Sequence, residues 1–283
     1  MAFTDIDDPS QFFQTVLYNG TGSTQSVSNT GLSNLKPDWV WIKERDNAST
    51  NHSLFDSSRG ATKELITNGS NAEATDAQLL TQFDTDGFTV GTNGGVNGSG
   101  DEYVAWQWKA NGGTTSSNSD GSITSTVQAD TTAGFSIVTF TGNGSNDATI
   151  GHGLGTTPAA IFTKNRSDSV SWRCWHKDLT ANNMLFFNSN NGETGPSSQG
   201  NGYIKTVGSS TYSVYQGTTD TNGVNGSSDD MIAYCFAEKQ GYSKFGRYVG
   251  TGSSVNSYAF GPRIHTGFKP AWVMIKSSDS SGS

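Results

Sequence analysis

Apolar residues in this sequence occur in short clusters separated by runs rich in Gly, Asn and Ser. In the cluster at residues 103–109, every second side chain would face one side of an extended strand, as in Val104, Trp106 and Trp108. The cluster at residues 231–237 alternates in the same way. Helical periodicity is almost absent, since only residues 60–66 could form a turn or two. The pattern therefore predicts an all-β protein.

The apolar run at residues 39–42 contains no polar position, which predicts a strand that is covered on both faces. Pairs of Asn or Asp with Gly favour tight turns between the clusters. They occur at Asn19-Gly20, Asp86-Gly87, Asn93-Gly94, Asn97-Gly98 and Asn225-Gly226. Short strands joined by such turns predict two-sheet β-sandwiches of jelly-roll or lectin-like type.

An internal repeat organises the chain. The pattern aromatic-x-Gly-x-Gly-Ser occurs at residues 18–23, 140–145 and 248–253. Each copy is followed by a Pro, an apolar run and a Lys six residues after the Pro, at residues 37–43, 158–164 and 270–276. A later pattern, GVNGS-x-D, occurs at residues 95–101 and 223–229, directly before the two alternating clusters. Three copies at one spacing indicate duplication of a structural unit.

The repeat predicts two β-sandwich units, residues 12–111 and 134–240, joined by a mobile linker rich in Gly, Ser and Thr at residues 112–133. A third copy occupies residues 243–283 without a GVNGS-x-D pattern or a closing aromatic cluster. We expect this half-unit to leave an apolar surface open around Phe268, Trp272 and Met274. Either the chain continues past Ser283 to complete a third sandwich, or a neighbouring chain covers the surface.

Residues 1–11 form an acidic N-terminal arm that we expect to stay out of the core. We expect this arm to dock on a neighbouring protein or to remain flexible. The residues assigned to docking are Asp5, Asp7, Asp8 and Phe12.

Composition excludes several classes of protein. Only 32% of the residues are hydrophobic, but seven Trp, nine Tyr and fifteen Phe provide the buried area that disordered chains lack. The net charge of −8, without a basic stripe, argues against nucleic acid as a partner. No apolar run is long enough for membrane insertion, and the N-terminus does not resemble a signal peptide. Two cysteines, Cys174 and Cys235, are too few for a disulfide scaffold and are expected to be reduced thiols, which could lie near each other.

Little in the sequence points to catalysis. The four His residues lack zinc-site spacing, and no spacing singles out the pair of carboxylates that a glycosidase needs. Asp56 and Arg59 are expected to form a structural ion pair. We therefore predict that the protein is not an enzyme and has no cofactor, unless two of its loops bind Ca²⁺.

The calcium hypothesis rests on the oxygens of the two GVNGS-x-D loops, the alternative being an ordinary Asn-Gly turn solvated by acids. The candidate ligands are Asn97, Asp101, Glu102, Asn225, Asp229 and Asp230. A second hypothesis concerns glycans, because aromatic faces stack on sugar rings. Trp172 and Trp175 are the candidates for this role, and core packing is the alternative for each.

Segments of the first unit resemble a family of uncharacterised proteins from marine tailed phages, which are similar to tail-fibre or virion surface proteins. These segments are YNGTGSTQ, PDWVWIKERD, LFDSSRGATKEL, FDTDGFTVGTNGGVN and YVAWQWKAN, together with the opening MAFTDIDDPSQFFQT. The second unit is a diverged copy that has lost FDSxRGATK and DGFTxG in recognisable form. The resemblance implies a virion protein, on the tail or the capsid, and provides no catalytic residues.

On this basis we expect a virion structural protein, made in the host cytoplasm, that acts as a tail-fibre or adhesin module in host-surface recognition. The alternatives are a capsid decoration, knob or tail-attached protein without receptor binding, and a glycan depolymerase. Expected partners are other virion proteins and a host glycan or outer-membrane protein. We also expect a homo-oligomer, with a trimer favoured because fibres are usually trimeric.

Overall fold

The computed structural model describes residue 4 and residues 6–195, 202–218, 222–251 and 261–279. Within these residues the chain is almost entirely β, with one α-helical turn, α1 (Gly94–Asn97), and one 3-10 turn, Pro9–Gln11. The predicted all-β fold class is therefore confirmed. No helix in the described ranges is long and apolar enough to cross a membrane.

The first unit contains nine strands in two sheets. The larger sheet has the order β1-β9-β3-β4-β5-β6, and the smaller sheet has the order β2-β8-β7. The strands are β1 (Phe13–Asn19), β2 (Gln25–Ser28), β3 (Trp39–Glu44), β4 (Ser53–Asp56), β5 (Lys63–Ile66), β6 (Ala74–Thr75), β7 (Leu80–Asp84), β8 (Gly87–Val90) and β9 (Glu102–Trp108).

The second half of the chain repeats this plan. Its larger sheet has the order β10-β11-β12-β19-β14-β15-β16, and its smaller sheet has the order β13-β18-β17. The strands are β10 (Ser116–Asn118), β11 (Ser125–Asp130), β12 (Phe135–Thr141), β13 (Ala148–Gly151), β14 (Ala160–Asn165), β15 (Arg173–His176), β16 (Leu185–Phe186), β17 (Tyr203–Val207), β18 (Thr211–Tyr215) and β19 (Asp230–Phe236).

The two halves correspond in strand order and in register. The run β1-β9-β3-β4-β5 matches β12-β19-β14-β15-β16, and β2-β8-β7 matches β13-β18-β17. Trp39 lies opposite Trp108 in the first unit, just as Ala160 lies opposite Phe236 in the second. The predicted equivalence of the Pro-to-Lys strands and of the closing strands is therefore present in the hydrogen-bond pairing.

The closing strand is an interior strand of each larger sheet, with a neighbouring strand on both sides. In the first unit, β1 and β3 both pair with β9 and lie on opposite sides of it. In the second unit, β12 and β14 pair with β19 in the same way. The described parts of the third copy, residues 243–251 and 261–279, contain no strand.

The two larger sheets pack against each other through an aromatic core. In β3 the side chains of Val40 and Ile42 belong to the core between the two sheets of the first unit. Trp39 and Trp41 point the other way, into the core between the units. Trp39 contacts the rings of Phe135, Tyr234 and Phe236 at centroid distances of 5.9, 5.5 and 6.0 Å. The apolar run at residues 39–42 thus lies between two cores, as its sequence predicted.

The predicted mobile linker is wrong, because residues 112–133 contain β10 and β11, which extend the second larger sheet. Gln128 in β11 is fully buried. Its side chain donates to the hydroxyls of Ser57 and Ser58 at 3.0 and 2.8 Å and accepts from the Gly113 N–H at 2.7 Å. This polar segment forms strands because neighbouring backbone and side-chain groups satisfy its hydrogen bonds.

The N-terminal arm is partly folded onto its own unit, which corrects the expectation that it stays out of the core. Ile6 is buried, and the Asp8 carboxylate accepts from the Ser10 N–H and from the Ser33 hydroxyl. Phe12 packs edge-on against Tyr242 of the second half, at a centroid distance of 6.2 Å. Asp7 is exposed, and Asp5 lies outside the described residues.

Candidate functional site

The first GVNGS-x-D loop is locked to the Gly-x-Gly-Ser turn by one buried amide. The Asn97 Oδ1 atom accepts from the Thr21 N–H at 2.8 Å and from Gln25 Nε2 at 2.7 Å. The Nδ2 atom donates to the Ser23 and Gly91 carbonyls at 2.7 and 2.5 Å. All four hydrogen bonds that an amide side chain typically makes are therefore used within the protein.

Asn225 makes the same lock in the second unit. Its Oδ1 accepts from the Asn143 N–H at 3.0 Å, and its Nδ2 donates to Asn143 Oδ1 and to the Ser145 carbonyl at 2.9 Å each. Gly98 and Gly226 make room for the acids that follow, because a Cβ there would lie 2.0 and 1.9 Å from the Oδ2 atoms of Asp101 and Asp229. In each unit the two repeated motifs are therefore joined by the hydrogen bonds of one Asn side chain.

These contacts use several of the side-chain oxygens that the calcium hypothesis assigned to the ion, and the hypothesis stays a prediction. The two Asn oxygens are occupied by donors from the protein, and Asp229 accepts from Asn165 Nδ2 at 2.7 Å. Glu102 pairs with Arg45 at the surface, and the Asp230 side chain is 61% exposed. Within the described ranges, no group of three or more His, Cys, Asp or Glu side chains is arranged to hold a metal ion.

The repeated lysine caps the loop that follows its strand. Lys43 donates to the Glu44 and Asn47 carbonyls at 2.6 Å each. Lys164 donates to the Asn165 and Asp168 carbonyls at 2.5 and 2.9 Å, and burial lowers the pKa of its ammonium group to about 8. The repeat therefore conserves a structural contact at this position.

Of the two Trp residues that were candidates for stacking on a glycan, the structure places Trp172 in the core. Trp172 is 1% exposed, its Nε1 donates to the Ile66 carbonyl at 2.9 Å, and its ring lies 6.3 Å from that of Tyr234. A buried ring has no free face for a sugar. Trp175 is half-buried against the core of the second unit. The alternative of core packing is correct for Trp172.

The two cysteines lie on opposite faces of the second larger sheet. Cys174 belongs to the core between the units, whereas Cys235 belongs to the core inside the second unit. Both are free and buried, as expected for reduced thiols, but they are not neighbours in space.

The expected ion pair of Asp56 and Arg59 is present, and both side chains are fully buried. Asp56 also accepts from the Tyr234 hydroxyl at 2.6 Å, which connects the two units. Arg59 contacts Glu73 at 3.1 Å, and Glu73 contacts Arg166 of the second unit at 2.7 Å. Burial alone would raise the pKa of Glu73, but its hydrogen bond to Arg166 and its proximity to Arg59 lower it. This network braces the interface between the units.

A cleft in the first unit, called the polar cleft here, is a candidate site for ligand binding. Its volume is about 380 Å³, and it lies between the β3–β4 loop, β5, β6 and the loop that carries α1. Seven of the eleven lining residues carry a hydroxyl, amide or carboxyl group, the remaining surface is apolar, and no lining residue is aromatic. The lining residues are Ser49, Thr50, Asn51, Ser53, Glu64, Ile66, Ala74, Asp76, Leu79, Asn93 and Gly95.

Two carboxyl groups give the cleft its chemical character. Glu64 accepts from the Ser53 hydroxyl at 2.6 Å, and burial, together with nearby Asp76, raises the pKa of Glu64. Asp76 accepts from the Gln78 N–H at 2.7 Å and from Asn93 Nδ2 at 2.8 Å. Such a surface can both donate and accept hydrogen bonds, as a polyhydroxylated ligand requires.

This cleft could not be predicted from the sequence, since its residues come from separate segments and are of types found in any loop. The same chain does match a family model, described as a domain of unknown function (DUF7483), over residues 8–283. No curated protein and no solved structure matches it. The family match includes both units and the third copy, and the chain therefore belongs to the DUF7483 family.

Proposed function

We propose that this protein is a structural and binding component of a phage virion, of the tail-fibre or adhesin type, and that the polar cleft of the first unit binds a host-surface glycan. The observation that carries the proposal is the cleft lined by Glu64, Asp76 and neighbouring hydroxyl and amide groups. The resemblance of the first unit to marine phage proteins supports the virion location.

The ligand class follows from the lining. Sugars present many hydroxyl groups that both donate and accept hydrogen bonds, and each needs a partner when it leaves water. In the cleft, Ser, Thr and Asn side chains provide both functions, and the Glu64 and Asp76 carboxyl groups provide further acceptors. Without an aromatic platform, recognition would depend on hydrogen bonds rather than on stacking.

The cleft is also held in a fixed shape. Asp76 links the β6–β7 loop to Asn93 at the start of α1, and the Asp76 N–H donates to the Thr62 carbonyl at 3.0 Å. A preformed site loses less conformational freedom on binding than a mobile loop does. A rigid β framework that presents a small polar cleft suits a surface-recognition module.

The test is binding of the purified protein to an array of bacterial capsular polysaccharides and lipopolysaccharides. Glu64→Gln and Asp76→Asn should each weaken binding about tenfold, because each replaces one of the two side-chain oxygens by an NH₂ group, which cannot accept a hydrogen bond. Asp178→Asn, which removes a carboxylate from the second half, is the matched control and should bind like the wild type. Absence of any bound glycan, or equal binding by all four proteins, would refute the glycan role.

A further inference from the structure

The C-terminal segment, defined here as residues 261–279, exposes apolar residues that its sister copies bury. Val273 and Ile275 are 65% and 67% exposed. The repeat aligns them with Val40 and Ile42 in the first unit, which are both 0% exposed. In the second unit the corresponding positions are Ile161 and Thr163, which are also buried. The sequence pattern at this site therefore belongs to a strand that is covered on this face.

The opposite face of the C-terminal segment is already anchored. Trp272 packs edge-on against Trp108 at a centroid distance of 5.2 Å, at the rim of the aromatic core between the units. Lys276 donates to the Asn191 carbonyl at 2.7 Å, and the Ser278 carbonyl accepts from the Glu193 N–H at 2.8 Å. These contacts hold the segment against the rest of the chain and leave Val273 and Ile275 on its solvent-facing side.

The charge of this end of the chain is opposite to that of the rest. Residues 239–283 contain six Lys or Arg and one Asp, whereas residues 1–238 contain 11 Lys or Arg and 24 Asp or Glu. Arg263 and Lys269 lie in the C-terminal segment and are exposed, close to the exposed Ile264. A basic, apolar surface on an acidic protein is electrostatically complementary to another copy of the same protein.

We propose that the C-terminal segment is a self-association surface, which docks on the acidic body of a second copy of this chain. Val273 and Ile275 are covered in the contact, and the surrounding Lys and Arg side chains orient it. The contact joins two different surfaces, so it closes copies into a ring where the rotation from one copy to the next allows closure. A trimer, the oligomer expected for a fibre protein, is one such ring.

The experiment is sedimentation velocity of the full chain over a range of concentrations, in low and high salt. The wild type should form a discrete oligomer that weakens as salt is added. The double variant Val273→Asp/Ile275→Asp should be monomeric, and Arg263→Glu/Lys269→Glu should associate more weakly and lose its salt dependence. Leu32→Asp is the matched control, because Leu32 is 95% exposed in the first unit, and it should associate like the wild type.

Circular dichroism and thermal unfolding of each variant check that the fold is intact, and no loss is expected because the substituted side chains are exposed. A wild type that stays monomeric at every concentration would overturn the proposal. So would a Val273→Asp/Ile275→Asp variant that remains oligomeric. A monomeric wild type that binds phosphatidylglycerol vesicles through the same residues would instead assign the segment to an anionic membrane surface.

Discussion

Asn97 and Asn225 occupy equivalent positions in the two units, and both are 0% exposed. At the level of single residues, they explain why the Gly-x-Gly-Ser and GVNGS-x-D patterns recur together along the chain. A short loop cannot bury its backbone groups unless side chains satisfy them. One amide that bridges two loops does this with four hydrogen bonds in the first unit.

Asn97→Ala should destabilise the protein by about 2–3 kcal/mol, because buried N–H and carbonyl groups lose their partners and cannot reach water. Asn47→Ala is the control, since Asn47 is exposed and its side chain accepts one hydrogen bond from the Ser49 N–H. It should cost less than about 0.5 kcal/mol. Urea unfolding measures both. Equal effects would mean that the amide does not lock the loops together.

The sequence predicted which residues of the two units are equivalent, but it did not predict what these residues do in the structure. The spacing of the repeats correctly paired Trp39 with Ala160 and Trp108 with Phe236 as equivalent positions. It gave no means of telling a metal ligand from a hydrogen-bonding brace, because Asn, Asp and Gly serve both. The cleft around Glu64 and Asp76 was not predictable, since its walls come together only in the folded chain.

At the level of strands, alternation predicted which side chains share a face but not what each face contacts. The apolar side of β19 packs on the other unit, while Met231, Ala233 and Cys235 on its second face pack within their own unit. Composition misled at β10 and β11, where Ser and Thr suggested a linker. Thr and Val are good strand formers, and an edge strand needs only one neighbouring strand.

The closing strands have a paired strand on both sides, which makes them sensitive to backbone disruption. Ala233 in β19 lies opposite Val138 on one side and Thr163 on the other. Ala233→Pro should destabilise the protein by about 3 kcal/mol or more, because proline removes a backbone donor inside a sheet.

Ser117→Pro is the comparison for this variant, because Ser117 lies in the edge strand β10, where proline is tolerated. Thermal unfolding followed by circular dichroism measures both variants. If Ser117→Pro proved as damaging as Ala233→Pro, the central role of β19 would be wrong.

At the level of the whole molecule, the two units form one body rather than two independent domains. The aromatic core between the larger sheets contains Trp39, Trp108, Phe135, Tyr234 and Phe236. The ion-pair network from Asp56 to Arg166 crosses the same interface. Separating the units would expose the aromatic rings to water and would remove the partners of the buried charged groups.

Trp39→Ala should lower the free energy of unfolding by about 3–5 kcal/mol, the usual cost of truncating a large buried aromatic residue. Leu17→Ala, at a side chain that is 59% exposed, should have little effect. Calorimetry should show one transition for the wild type, because the units share a core. Two separate transitions in the wild type would show that the interface contributes little to cooperativity.

The closing strands also affect the stage of synthesis at which the larger sheet of each unit can form. In each unit the first strand and the Pro-to-Lys strand emerge from the ribosome long before the closing strand that both of them pair with. Until the closing strand is synthesised, the two earlier strands lack the strand that they pair with in the folded unit. Pairing between positions so distant in the chain is slow and leaves apolar surface exposed to other molecules. We therefore expect each unit to complete its larger sheet only after its closing strand has left the ribosome.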